Sequence, residues 1–146
     1  MQSILYGIYL FFTVYTTGNI ITLQIQHYSM YTFIGKEHFK KYMRANNKAA
    51  WISSILPAIL LLVTNICLLF SRPSFMSVTE AIFSLILIIV GLISTFIAQR
   101  KVQMEMEETG YNEERISFLI STNWIRSFLH VTVSIMAVAI VMNAVS

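Results

Sequence analysis

Four apolar runs constrain this chain more than any other feature: residues 4–26, 50–70, 78–98 and 116–143. Each reaches the roughly 20 residues a helix needs to cross a hydrocarbon core of about 30 Å. Strands are a poor alternative, because period-two alternation is absent and a transmembrane barrel needs about eight strands or more. Composition agrees: 12% of the residues are charged and 56% hydrophobic, against about a quarter charged in soluble domains. The expected fold is all-α: a polytopic membrane protein forming one antiparallel four-helix transmembrane bundle over residues 1–146, with no room for a second domain.

Local signals mark the helix ends. Ser71-Arg72-Pro73-Ser74 predicts a tight turn between helices two and three, and Ser77-Val78-Thr79-Glu80 a capping box opening helix three. Asn112 is placed to cap helix four, with Glu113 and Glu114 in the first turn favoured by the helix dipole. Pro57 predicts a kink in helix two. The first twenty residues hold no Lys or Arg, so the n-region of a cleavable signal is missing and the first run reads as a retained helix. The lone cysteine, Cys67, excludes an internal disulfide and reads as a small packing residue.

Basic residues set the expected orientation. Lys36, Lys40, Lys41, Arg44 and Lys48 lie between helices one and two, and Arg100, Lys101 and Arg115 between three and four; Arg72 alone lies opposite. This distribution is a membrane-orientation signal rather than a nucleic-acid surface, and it predicts a cell-membrane protein with both termini outside the cytoplasm. The second connection also carries Glu105, Glu107, Glu108, Glu113 and Glu114, so contact between the two connections is expected. Within residues 36–48, Lys36, Lys40 and Arg44 share one side while Phe39, Tyr42, Met43 and Asn46 share the other. That predicts an amphipathic cytoplasmic helix, lying at the interface or running straight into helix two.

Polar stripes interrupt the apolar runs. Helix one aligns Tyr6, Tyr9, Thr13, Thr16, Thr17, Gln24, His27 and Tyr31; helix four aligns Asn123, Arg126, Ser127, His130 and Ser134; helix three offers Ser84, Gly91 and Thr95. In lipid such faces turn inward. They serve either as interhelical glue or as the lining of a polar pocket for a small amphipathic molecule. In the second case Arg126 and Asn123 are the candidate oxyanion or carbonyl stabilisers and His130 the candidate proton acceptor, with Gln24 and His27 bordering the cavity. His27 and His130 differ in depth by ~10 Å at about 1.5 Å per residue, too far to share one haem. With no Glu-x-x-His or His-x-x-x-His pair, no metal and no cofactor is expected.

Several segments together carry a resemblance. Ser94-Thr95-x-x-x-Gln99, Asn123-Trp124-Ile125-Arg126-Ser127, His27-Tyr28, Gly35-x-x-x-Phe39-x-x-Tyr42 and Pro57-Ala58 resemble a family of small four-helix bacterial membrane proteins of unknown function. Most of the chain is covered, and Asn-Trp-x-Arg is the most specific piece, which adds Trp124 to the candidate substrate-binding residues. More distantly the chain is similar to the anthrone-oxygenase-like membrane proteins, which share a helix-four Asn and Arg. That likeness implies cofactor-free oxidation of an activated aromatic carbon. Many relatives carry Pro and His after the helix-three Gln, where this chain has Arg100-Lys101-Val102-Gln103, a departure that puts such an activity in question. Arg44-Ala45-Asn46-Asn47 is similar in part to the Arg-Ala-x-x-Asn motif of the glutathione and eicosanoid membrane enzymes, but the Glu expected after it is absent.

Three function classes follow. A wet, titratable core indicates an enzyme or binder for a small lipophilic or aromatic molecule, which it would oxidise, isomerise or simply hold. A dry core with a sticky outer face indicates a non-catalytic subunit of a membrane assembly, partnered by a second copy or another membrane protein. A small transporter comes last, since four helices make a poor path without oligomerisation. The orientation is testable directly: after Cys67→Ser, a reporter cysteine at Glu108 should be shielded from impermeant reagent in intact cells and one at Ser74 modified. The reverse pattern would invert the topology.

Overall fold

The computed structural model describes residues 2–145. Four long helices make up nearly all of it: α1 (Gln2–Phe33), α2 (Phe39–Phe70), α3 (Val78–Thr109) and α4 (Glu113–Val145). They pack antiparallel in a square, α1 between α2 and α4, with α3 diagonal to α1. The chain is a four-span, multi-pass membrane protein.

The ends form as their chemistry dictates. Ser77 accepts a hydrogen bond from the Glu80 amide, and the Glu80 carboxylate accepts one from the Ser77 amide at 2.7 Å. Gly110, at φ 96°, ends α3 in a conformation that disfavours a side chain. Asn112 Oδ1 then accepts from the Arg115 amide at 2.9 Å and starts α4.

The helices overrun their apolar runs at the basic end. The connections expected over residues 27–49 and 99–115 are mostly helix, leaving only residues 34–38 and 110–112 to turn the chain. Each helix is therefore about 48 Å long at ~1.5 Å per residue, well beyond a ~30 Å hydrocarbon core. Outward-facing apolar side chains mark where that core lies. On α2 they run from Trp51 and Ile52 to Phe70, on α3 from Val78 to Ile97 with Met104 further on, and on α4 from Phe118 to Val145. On α2 and α3 the main stretch is roughly 20 residues, or ~29 Å. Trp51 and Trp124 both sit toward the basic end of this surface, the place where amphipathic rings collect. Cys67 is exposed on this surface rather than packed inside.

The interior has two apolar cores. One, built on Tyr9, Leu61, Leu68, Ile88, Val133 and Ala137, fills the membrane-spanning part. The other gathers Tyr28, Tyr31, Phe39, Met43, Met106 and Leu119 under the projecting ends. The amphipathic segment 39–50 is thus continuous with α2, and its Phe39 and Met43 are fully buried. Hydrogen bonds rather than the hydrophobic effect register the spanning helices, since lipid is as apolar as leucine. Tyr6 donates to the Ala137 carbonyl at 2.7 Å, Asn65 to Ser84 at 2.6 Å, and Thr17 to the His130 carbonyl at 3.0 Å.

The charged segments meet as their signs demand. Asn47 Nδ2 donates to Glu107 at 2.9 Å and to the Gln103 carbonyl at 3.2 Å, while Arg44 reaches the same carboxylate at 3.3 Å. Glu105 turns instead to Arg115 of α4, 3.3 Å away. Asn47 is 4% exposed and the Arg44 side chain 80%, so the two contributions differ. Asn47→Leu should cost ~1–3 kcal/mol by stranding its partners, whereas Arg44→Ala should cost under ~1 kcal/mol. Equilibrium denaturation in one detergent checks the order.

Candidate functional site

Three of the four helices change pitch at one level. α1 has a π turn over Leu23–His27, α2 over Trp51–Ile55 and α3 over Thr95–Arg100; α4 runs through unbroken. A π turn widens a helix by one residue, lets backbone and side chains lean outward, and recurs at functional sites. Here all three turns face a common space, a cavity of about 260 Å³ between the two apolar cores. In α2 the sequence explains the turn. Pro57 has no N–H to offer the Ser53 carbonyl four residues back. That carbonyl instead accepts from Asn19 Nδ2 and from the Tyr15 hydroxyl, each at 3.1 Å. The expected kink is therefore realised as a widened turn, with α1 supplying the missing donors.

The wall of the cavity mixes apolar surface with polar groups whose charge is one-sided. Asn19, His27, Tyr28, Asn46, Ser53, Thr95, Gln99 and Gln103 line it together with Arg100 and Arg126, and no Asp or Glu does. The side toward the projecting ends is a closed net of neutral groups. Tyr28 donates to Gln99 Oε1 at 3.0 Å, and Gln99 Nε2 donates to Thr122 Oγ1 at 2.5 Å and to the Leu119 carbonyl at 3.2 Å. At the rim, His27 Nε2 meets the Tyr31 hydroxyl at 3.2 Å, and Asn46 Nδ2 donates to that hydroxyl at 3.1 Å.

Arg126 stands apart. It is 5% exposed, and its Nε finds no partner. Nη1 donates to Asn123 Oδ1 at 3.0 Å, and the Tyr28 hydroxyl lies beside the guanidinium. Among the described residues no carboxylate pairs with it. A second, narrow lobe of about 30 Å³ continues inward from Arg126 to His130 and the α3 side chains Leu92 and Phe96, the size of one water. The His130 ring is placed there by space: a Cβ on Gly91 would come within 3.2 Å of its Nε2.

The stripes read from the sequence do converge, with a division of labour the spacing did not reveal. Arg126, His27 and His130 line the two lobes. Asn123 and Gln24 lie behind the wall: Asn123 Nδ2 donates to Gln24 Oε1 at 2.9 Å and to the Ile20 carbonyl at 3.3 Å, so its amide is spent on holding Arg126. Trp124 is not part of the site. It is 60% exposed on the lipid face, because i and i+2 positions point to different sides of a helix. Asn19, Asn46, Ser54 and Gln103 were missed as lining residues. One signal existed for Asn19: an asparagine in an apolar run demands a partner, and the proline opposite creates an orphan carbonyl.

No protein-family model, curated protein or solved structure matches the chain. Function has to be read from the site itself. The wiring makes one prediction: Asn123→Leu removes the acceptor that holds Arg126 and should destabilise the protein by ~1–3 kcal/mol. Trp124→Ala, on the outer face, should stay within ~0.5 kcal/mol. Thermal denaturation of both variants in one detergent is the measurement.

Proposed function

We propose that the cavity binds a small amphipathic molecule whose anionic or strongly accepting head group sits against Arg126. The observation that carries this reading is the buried guanidinium with an unpartnered Nε, facing a cavity that no carboxylate lines. A cation at the edge of the hydrocarbon core is costly, by ~2.5–3.5 kcal/mol or more at the bilayer centre and less nearer its border. Proteins normally offset such a cost with an acid. Here the neutral net around Arg126 orients the charge and leaves it for a ligand.

The same features favour a binder over a structural subunit of an assembly. A dry core would have filled the gap between the π turns. The positive-inside rule assigns the cavity to the cytoplasmic side of the membrane. In this reading Arg126 is the anchor, Tyr28 and His27 shape the head-group site, Asn123 and Gln24 position Arg126, and His130 offers a polar contact one turn further in. The likeness to anthrone-oxygenase-like proteins points to the same helix-four Asn and Arg and fits a ligand of aromatic or enolic character.

The test is mass spectrometry of what stays bound after purification in mild detergent. An acidic amphiphile should accompany the wild type and fall at least ~10-fold with Arg126→Gln, the tenfold expected from losing ~1.4 kcal/mol of a charge-assisted bond. Asn65→Ala, remote from the cavity, should retain it. Equal retention by Arg126→Gln in a monodisperse sample would sink the proposal.

A further inference from the structure

We infer that the ligand comes from the membrane rather than from water: a single-chain carboxylate or phenolate amphiphile that passes sideways between α1 and α2. This rests on the reading of Arg126 as an anion anchor and adds to it the route and the ligand class. The square of helices is closed on three sides at the level of the cavity. α2 and α3 are joined there by Asn47 with Gln103 and Arg100, α3 and α4 by Gln99 with Thr122, and α1 and α4 by Gln24 with Asn123.

The fourth side is a window. Above it, Asn19 clamps α1 to α2 through Ser53 and Ser54 at 3.1 and 2.8 Å. Below it, the His27 and Tyr42 rings approach to 6.4 Å. Between those closures no hydrogen bond joins Leu23–Gln26 to α2 among the described residues. Among the residues lining the cavity, Thr22 on α1 and Ala49 and Ser53 on α2 are exposed, and they edge this window. All three are small, so the window is not plugged.

What lies outside the window identifies the source of the ligand. Ile25 and Ile52 are exposed beside it. A soluble anion would gain nothing from these surfaces, whereas an acyl or prenyl-like chain would lie along them. A cavity of about 260 Å³ falls just below the ~300 Å³ at which pockets for drug-sized ligands begin. It holds a carboxylate or phenolate head and its first carbons, with the tail left outside, but not the glycerol and head group of a phospholipid.

Loading of a radiolabelled long-chain fatty acid into the full-length protein, in neutral-lipid nanodiscs, tests this. Wild type should bind it saturably, and butyrate at the same concentration should not compete. Ala49→Phe, at an exposed position, should slow loading at least tenfold with little change in folding. Arg126→Gln should bind none. Unchanged loading by Ala49→Phe alongside loss in Arg126→Gln would overturn the lateral route while leaving the anchor in place. Competition by butyrate, or failure of the wild type to take up the fatty acid while still retaining another acidic molecule, would overturn the ligand class. Full binding by Arg126→Gln would remove the anchor, and with it both readings.

Discussion

A cation kept at the edge of the hydrocarbon without a counter-charge sets the terms for the structure around it. Arg126 cannot face lipid and does not reach water along α4, since its guanidinium is buried in the bundle. The neighbouring helices must therefore surround it with groups that tolerate charge but do not cancel it. Amides and hydroxyls meet that requirement. Asn123 fixes the guanidinium, Gln24 fixes Asn123, and Tyr28 and Gln99 close the layer beside it. The polar layer separates the membrane core from the core under the projecting ends, which explains why the interior holds two apolar clusters rather than one.

Geometry makes room for that layer. A square of straight helices at ordinary spacing would close over the space with side chains, because interiors pack to crystal-like density. Three π turns at one level push α1, α2 and α3 outward while α4 holds the charge in line. The widened backbone has to find hydrogen-bond partners in a region with little water. Asn19 and Tyr15 meet this need for the carbonyl that Pro57 leaves open. The clamp that satisfies the backbone is also the upper edge of the opening between α1 and α2, so one pair of contacts serves fold and access together.

Much of this was legible in the residues. Run length and the lack of alternation specify four spans, and charge clusters distinguish the two ends. The spacing of Asn123, Arg126 and His130 puts them on one inward stripe. Two things were hidden. The projecting end of α3 looks like a loop because its buried stripe is short and built from Gln99, Gln103 and Met106, and hydropathy counts the glutamines as strongly polar. The full lining of the expected cavity was hidden because π turns carry no composition signal beyond Pro57, and a one-residue widening shifts every side chain after it off the ideal wheel. Trp124 shows the opposite error, in which a sequence motif grouped residues that the helix sends to different faces.

The other arginines show what is unusual about Arg126. Arg44 and Arg115 sit in water-exposed ends and meet Glu107 and Glu105. Arg100 borders the same cavity but is engaged by Asn47 Oδ1 at 3.2 Å and lies over the Trp51 ring, 5.5 Å from its centre. Each has its charge used locally, and each would lose little by substitution at the surface. Arg126 has the strongest need of a counter-charge, because it is the most buried, and among the described residues it meets only the neutral Asn123 and Tyr28 side chains, with Nε left unpartnered. Selection for stability alone would have placed an acid there or exchanged the arginine for an apolar residue, a change that is often neutral or stabilising. Keeping the charge and building a neutral, hydrogen-bonded socket around it makes sense when the missing partner arrives from outside. A ligand that fills the socket then stabilises the fold by mass action, ~2.7 kcal/mol at a hundredfold excess over its dissociation constant.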